Sequence, residues 1–402
     1  MRTLVVMATL WFSAGGAAPS CKAASEPPLR AADGLFDLSN RKTLGLEVLD
    51  GRHVELFRAG EHDRYRFSHH PGLAVFRGKL YCSWSSGFAH EDRPGQRVVY
   101  TYSADGIRWS PLRVLAQPDG ERDRCIAAGF HVTGGAIIAY FTLCREYPIH
   151  NLYHPENALF ARTSSDGLHW SKPQRVTSGF FIEAPRQLSG GRLLLCGEWV
   201  GERWKTHRAR MRLLYSDDPD GLVGWKESSI DPTRTEPNGT RIFGYTEPCP
   251  YVRADGVVVS PFRNSSGFLY ASLSQDNGVS WTVPSKTNFP DSRARCCTGR
   301  LPDGTVYLIN NPGPGEDRRA ALGDRSLLTI ALSRDGVVFD RAGLLRGEPT
   351  VRRFRGKEKV DGWQYPNAVV WQDALYVVYS VNKEDIVLTR IPLKNLGARR
   401  DE

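Results

Sequence analysis

The sequence predicts an all-β fold, a β-propeller of six four-stranded antiparallel blades, with seven blades as the alternative. Three observations lead to this prediction. A short Ser-x-Asp-Gly phrase recurs along the chain, Gly and Pro are abundant at 39 and 25 residues, and no long stretch keeps the 3.6-residue apolar period of a helix. The 10 Trp and 15 Tyr favour strands. About 380 residues follow a short leader, enough for six or seven blades.

The recurring phrase is suited to a tight hairpin. Each copy has a Ser, an Asp, a Gly-containing turn and an aromatic residue, so that Ser and Asp oxygens accept turn N–H groups while Gly supplies a positive φ. The copies are SADGIRW, SSDGLHW, the degenerate YSDDPDGLVGW, SQDNGVSW and SRDGVVF, with serines at 103, 164, 216, 274 and 333. Their spacing of 52 to 61 residues indicates that each copy closes one structural unit.

The N-terminus is typical of a secreted protein. An early positive charge, an apolar run and small residues up to Ala18 predict a signal peptide over residues 1–24, with lipid anchoring at Cys21 as an alternative. We expect a secreted or periplasmic monomer without a membrane span. The remaining divisions are an N-terminal segment at 25–60 with a hairpin around Asp50 and Gly51, one strand of which closes the last blade; the propeller at 61–393; and a polar tail at 394–402.

Charge and cysteine content restrict the partners. A net charge of +9 favours acidic partners, but the basic residues form no run, so an acidic oligo- or polysaccharide is expected rather than nucleic acid. None of the eight cysteines has zinc-site spacing, and no cofactor or metal site is expected; a cation in the central channel is left open, although no acidic ligand loop indicates one. The cysteines are expected to be buried fillers or to form one or two disulfides, with Cys296 and Cys297 pointing to opposite faces of a strand.

The inner strand of each blade is the element of interest, because inner strands begin near the propeller axis. We expect these strands in the segments that start at Phe67, Cys125, Phe181, Tyr245, Ala294 and Trp363. Four of the six beginnings carry a polar residue beside Pro or Arg. Polar groups that face one another near an axis need partners, which suggests a ligand site there.

The repeats resemble the Asp-box, or BNR, repeats of the sialidase-like superfamily of secreted propellers. The resemblance implies that the repeats lie on the outer rim and are structural. It also implies a nucleophilic Tyr activated by a Glu, and arginines that bind a substrate carboxylate. On the segments TEPCPYVRADGVVVSPFRN, GDRSLLTIALSRDG and YPNAVV, these roles fall to Glu247, Arg263, Arg325 and Tyr365. The implied activity is a glycosidase that cleaves beside a sialic acid or uronate at the end of an acidic glycan.

The first blade departs from the sialidase pattern Phe-Arg-Ile-Pro. Here the segment reads YRFSHHPGL, with Arg66 out of register by two residues and His69 and His70 before Pro71. The HHP start, the ED-x-PGQRV loop and the YPNAVV…VVYSVNKEDI ending resemble a seven-bladed branch of α-rhamnosidases and rhamnose–glucuronate lyases, which uses histidine. Because neighbours on a strand alternate, only one of the two histidines is expected to face the axis.

The two possible reactions, elimination and hydrolysis, assign roles to the remaining candidate residues. For elimination, the base is His69, His70 or His90, and Arg186 or Arg295 helps to neutralise the uronate carboxylate. For hydrolysis, the proton donor is His90, Glu91 or Asp92 in the loop between the second and third strands of blade one, and Asp92 also contributes to substrate binding. A non-catalytic glycan-binding propeller and a structural or adhesion module remain the competing classes.

Overall fold

The computed structural model describes residues 27–145, 154–203, 211–230, 246–313 and 323–397. Six four-stranded antiparallel sheets surround a central axis as the blades of a propeller, so the predicted all-β, six-bladed fold is confirmed. The strands of blades one to three are Phe67–Phe76, Lys79–Gly87, Arg97–Ser103 and Arg113–Ala116; Arg124–Thr133, Ala136–Cys144, Ala158–Ser164 and Gln174–Ser178; and Arg186–Gln187, Leu193–Glu198, Met211–Ser216 and Lys226–Glu227. Those of blades four to six are Tyr251–Val252, Val258–Phe262, Phe268–Ser274 and Ser285–Pro290; Cys297–Arg300, Val306–Asn310, Leu328–Ser333 and Arg341–Arg346; and Trp363–Trp371, Ala374–Val381, Asp385–Pro392 and Arg52–Phe57.

Short elements lie outside the blades. Arg30–Ala31 pairs in parallel with Val338–Phe339, and the described residues include 3₁₀ turns at Ser189–Gly191 and Leu393–Leu396. Within the described residues, no helix is long and apolar enough to cross a membrane.

The ring closes between the two ends of the propeller. Arg52–Phe57 pairs antiparallel with Asp385–Pro392 and forms the outer strand of blade six. The expected hairpin around Asp50 and Gly51 is wrong, because Val48 bridges Leu344 of blade five instead. Leu44 and Leu344 share a buried apolar cluster, which draws this segment onto blade five.

The repeated phrases form the turns between the third and fourth strands of blades one to five. Ser103 Oγ accepts from the Gly106 amide at 2.8 Å and donates to Asp105 Oδ1 at 3.1 Å, while Asp105 Oδ1 accepts from the amides of Ile107 and Arg108 at 2.9 and 2.8 Å. These bonds hold the pKa of the Asp105 carboxyl well below its ordinary value. The turns lie away from the axial strands, so the repeat is a structural hairpin.

The core lies between adjacent blades. Cys296 packs between blades four and five with Cys249 and Leu308, whereas Cys297 packs between blades five and six with Leu375. The predicted opposite orientation of the adjacent cysteines is therefore confirmed. The seven described cysteines are all buried and free, so they act as fillers and no disulfide occurs among them.

The inner strands of blades three and four are shorter than predicted. Only Arg186–Gln187 and Tyr251–Val252 form ladders. Pro185, Pro248 and Pro250 lack the amide hydrogen that a ladder requires, so the chain runs along the axis without regular pairing there. The backbone near the axis is consequently irregular where the polar residues lie.

Candidate active site

Three residues with unusual backbone conformation meet at the axis. His70, Glu247 and Tyr365 have φ values of 55°, 50° and 55°, and each precedes a proline. The left-handed region is rare for residues other than glycine, and a following proline normally favours extended conformations. In blades one and six the ladder shifts register at these positions. Such strain persists only where the surroundings impose it, and it is concentrated at functional sites.

The Tyr365 hydroxyl is held in a short triad. It donates to Glu247 Oε1 at 2.6 Å and accepts from Arg263 Nη1 at 2.8 Å. Arg263 Nη1 also lies 2.7 Å from Glu247 Oε1. Blades six and four supply these groups, so the geometry depends on the complete ring.

Electrostatics set the protonation of this triad. Burial acts to raise the pKa of Glu247, but the Arg263 guanidinium and the Tyr365 hydroxyl outweigh it, so the pKa lies below its ordinary value and the carboxylate is charged. Burial raises the pKa of Tyr365, against the opposing effect of Arg263. Glu247 is therefore placed to accept the phenol proton if Tyr365 attacks an electrophile.

Two further arginines, Arg293 and Arg325, contribute positive charge beside the triad. Burial and the charges of Arg263 and Arg325 lower the pKa of Arg293. Arg325 Nη1 donates to Gln364 Oε1 at 2.7 Å, and its guanidinium carbon lies 5.4 Å from the centre of the Tyr365 ring. Nε of Arg263 and of Arg325 is buried without a hydrogen-bond partner among the described residues. An anionic ligand would satisfy this arrangement.

The two histidines both face Tyr365. The ring centroids of His69 and His70 are 4.4 Å apart, and they lie 4.1 and 5.3 Å from that of Tyr365. The prediction that only one would face the axis is wrong, because the left-handed φ of His70 and the register shift break the alternation. Burial, together with the charge of Lys383, holds the pKa of both imidazoles well below the ordinary value, so both are neutral.

The loop between the second and third strands of blade one brings Glu91 and Asp92 toward this site. Glu91 Oε1 lies 3.6 Å from His69 Nε2, and the other carboxylate oxygen forms an ion pair with Lys383. Asp92 is buried, and burial with the nearby Glu91 charge raises its pKa to about 7. His90 lies outside the cluster, since its ring is exposed and accepts from the Lys357 amide at 2.8 Å.

Arg186 and Arg295 belong to a neighbouring part of the axial region. Both line a partly open cavity of about 410 Å³ that is bordered by inner-strand residues. Glu183 Oε1 accepts from Arg186 at 2.5 Å and from Arg295 at 2.7 Å. Arg186 also donates to the carbonyl of Thr298 at 2.6 Å, so its hydrogen bonds are made within the protein. The structure thus separates Arg186 from the residues around Tyr365.

Sequence reasoning missed three charged residues. Lys383 reaches Glu91 from the turn between the second and third strands of blade six, and Arg293 precedes the inner strand of blade five. Glu183, which precedes the inner strand of blade three, pairs with the buried Arg186 of the same blade and with Arg295 at the start of blade five. A sequence signal existed for Glu183 alone, because its Glu-Ala-Pro string parallels the Glu-Pro string at Glu247. Lys383 and Arg293 lie in no local motif that would have indicated a role in the site.

Fold and site together define a six-bladed propeller with a buried Tyr–Glu–Arg centre on its axis. A family model described as a BNR repeat-like domain matches residues 78–378. The chain therefore belongs to the family of BNR repeat-like domains. None of the curated proteins compared with the chain matches it.

Solved structures share this architecture at low sequence identity. A sialidase is 19% identical with a TM-score of 0.65, over 92% of this chain and 35% of its own. Trypanosoma rangeli sialidase in complex with sialic acid is 14% identical with a TM-score of 0.61, over 87% of this chain and 60% of its own. A Dyadobacter fermentans protein of unknown function is 17% identical with a TM-score of 0.62, over 84% of this chain and 97% of its own. The chain thus spans about a third of the length of the first sialidase, and these likenesses define the fold.

Proposed function

We propose that this protein is an exo-acting glycoside hydrolase that cleaves the bond beside a carboxylated sugar, a sialic acid or a uronate, at the end of an acidic glycan. The observation that carries the proposal is the Tyr365 hydroxyl, which donates to Glu247 at 2.6 Å and accepts from Arg263 at 2.8 Å. The glycosidase-type fold and the likeness to sialidases support it. The net charge of +9 suits an anionic glycan, and the leader expected at residues 1–24, outside the described residues, suits a substrate met outside the cytoplasm.

The proposed reaction has two displacements. Tyr365 Oη attacks the anomeric carbon while Glu247 accepts the phenol proton, and the glycosidic oxygen leaves with a proton from Asp92. A water then attacks the glycosyl–tyrosine bond, giving its proton to Asp92, while Glu247 returns a proton to the departing phenolate. Two inversions at one carbon give net retention.

The arginines provide substrate recognition in this mechanism. We assign the sugar carboxylate to Arg263, Arg325 and Arg293. Arg263 binds the Tyr365 hydroxyl, Arg325 lies beside the Tyr365 ring, and Arg293 is close enough for the charges of both other arginines to lower its pKa. Guanidinium groups bind carboxylates through paired N–H donors. Arg295 and Arg186 support the site by fixing the axial strands through their ion pairs with Glu183.

A dependence on pH follows from Asp92. Because burial and Glu91 raise its pKa to about 7, Asp92 carries a proton below pH 7 and loses it above. We expect kcat to fall about tenfold per pH unit above that value, since the deprotonated group cannot donate. Asp92→Asn should be slow on unactivated glycosides and should lack this alkaline limb.

The matched control for the pH profile is His90→Gln, two positions earlier in the same loop. Its ring is exposed, so the variant should keep the wild-type rate and profile. An Asp92→Asn profile that still falls above pH 7 would show that another group donates the proton.

Elimination is the second candidate reaction, and the position of His70 beside Tyr365 favours it. Burial and the Lys383 charge hold the pKa of His70 well below its ordinary value, so the imidazole is unprotonated and can accept a proton, but it is a weaker base than an ordinary histidine. His70 lies 5.3 Å from the Tyr365 ring, ring centre to ring centre, and so faces the same space. In a uronate lyase it would remove the proton beside a carboxylate that the arginines neutralise.

The deciding experiment incubates the protein with sialyl and rhamnosyl-glucuronate oligosaccharides in H₂¹⁸O. Released acidic sugar that carries ¹⁸O, without absorbance from an unsaturated uronate, supports hydrolysis. New absorbance from an unsaturated product would instead establish elimination. Saturable binding with no product from either glycan would contradict the enzyme and favour a binding propeller.

A further inference from the structure

Three potential metal ligands converge beside Tyr365. One donor atom from each of His69, His70 and Glu91 lies within 4.8 Å of the others. The cluster depends on the backbone, because the left-handed φ of His70 brings two consecutive rings to one side of the strand. Adjacent histidines match no usual metal-site spacing, which explains why the sequence predicts no metal here.

Serine hydroxyls fix the outer nitrogens of both rings. His69 Nδ1 lies 2.7 Å from Ser380 Oγ, and His70 Nδ1 lies 3.3 Å from Ser85 Oγ. The Ser380 hydroxyl donates to the Gln364 carbonyl at 3.4 Å, which leaves its oxygen to accept from His69 Nδ1–H. Metal-binding histidines are commonly held in this way through the second ring nitrogen, and the tautomer leaves the Nε2 lone pair for a ligand.

The Nε2 atom of His69 lacks a partner of its own. It is fully buried and has no hydrogen-bond partner among the described residues, and the nearest carboxylate oxygen, Glu91 Oε1, is 3.6 Å away. In this tautomer, two electron-rich atoms face each other in a buried space. A cation between them would satisfy both.

We propose that His69 Nε2, His70 Nε2 and Glu91 Oε1 bind one divalent transition-metal ion of the Zn²⁺ class. Two imidazoles and one carboxylate are a ligand set that Zn²⁺ accepts, with bonds of about 2.0–2.2 Å. Tetrahedral bonds of that length separate two ligand atoms by roughly 3.3 Å, close to the His69–Glu91 distance. Three protein ligands leave one position open.

The positive charge of Lys383 opposes the binding of the ion. Its ammonium pairs with Glu91 through the oxygen that does not face His69, so the metal and the lysine use different carboxylate oxygens. Its charge, with those of Arg325 and Arg295, weakens the binding of a cation. Lys383→Gln removes this charge and should therefore tighten metal binding.

The identity of the ligand at the open coordination position is inferred from the proposed function. A carboxylate or hydroxyl oxygen of the acidic sugar would occupy it, next to Tyr365, whose ring centre is 4.1 Å from that of His69. The ion would then orient the sugar, while Tyr365 attacks the anomeric carbon and Glu247 accepts the phenol proton.

The test titrates chelator-treated full-length protein with Zn²⁺ and Co²⁺ by calorimetry, in the absence of any glycan. We expect one ion per chain and a visible Co²⁺ absorption band. His69→Ala and Glu91→Gln should weaken binding by more than about tenfold, as loss of a ligand does, while His90→Ala should not. Melting temperatures of the metal-free variants show whether each is folded.

Two results would overturn the site: no stoichiometric binding by the wild type, or binding that His69→Ala and Glu91→Gln both leave unchanged. Wild-type turnover with and without chelator tests the open-position role separately. Full turnover after chelation removes that role and leaves the proposed hydrolase intact, whereas a metal-binding protein inactive on every acidic glycan contradicts the proposed function alone.

Discussion

Tyr365→Phe is expected to lower turnover of the acidic glycan by on the order of 10⁴-fold, because loss of a nucleophile removes the whole covalent route. The substitution deletes one oxygen, and Arg263 and Glu247 remain paired at 2.7 Å. The variant should therefore fold and still bind the glycan. Glu247→Gln should cause a similar loss, since the amide cannot accept the phenol proton.

Initial rates on the glycan identified by product analysis provide the measurement, with calorimetric binding beside them. Tyr251→Phe is the matched control, because Tyr251 is also a buried tyrosine, but its hydroxyl donates to the Gly336 carbonyl at 2.7 Å in a rim turn. This control should keep wild-type kcat. Substantial turnover by Tyr365→Phe would remove Tyr365 from the chemistry.

Glu183→Ala is expected to lower the free energy of unfolding by about 3–5 kcal/mol, the range for breaking a buried ion pair. Its carboxylate accepts from Arg186 at 2.5 Å and from Arg295 at 2.7 Å. Without it, two buried guanidinium groups face each other along the axis. Urea titrations should show the largest loss of unfolding free energy near neutral pH, where the Glu183 carboxylate is charged.

The pH dependence of this stabilisation follows from the ionisation of the Glu183 carboxylate. Burial opposes ionisation, but Arg186 and Arg295 hold the pKa of Glu183 below its ordinary value in the folded state. The stabilisation is thus present above the unfolded pKa of 4.5 and is lost as pH falls through the folded value. Glu227→Gln is the control, because Glu227 also pairs with two arginines, at 3.1 and 3.2 Å, but at the surface, where we expect less than about 1 kcal/mol. Equal losses in the two variants would contradict a buried network.

The fold was predictable because its signal is local. Each Asp-box turn is formed by residues within a few positions of Ser103 and its counterparts, and their spacing counts the blades. The hairpin at Asp50 failed because a contact distant in sequence, between Val48 and Leu344, competes with it. Local patterns do not contain such a contact.

The candidate site was predictable where a residue stands in a motif. Glu247, Arg263 and Tyr365 lie in strings that resemble the family, and the structure brings them together. Lys383 and Arg293 reach the site only through the assembled blades. The joint orientation of His69 and His70 depends on a strained φ, which the alternation rule of a regular strand cannot foresee.

Mapping a trapped intermediate tests the central claim most directly. The protein would be incubated with a slow fluorinated analogue of the acidic sugar that it releases, digested and analysed by mass spectrometry. We predict one glycosyl adduct on the peptide that contains Tyr365, absent from Tyr365→Phe and present in Tyr251→Phe. An adduct on another residue, or hydrolysis of the analogue without any adduct and with inversion at the anomeric carbon, would contradict the assignment of Tyr365 as the nucleophile.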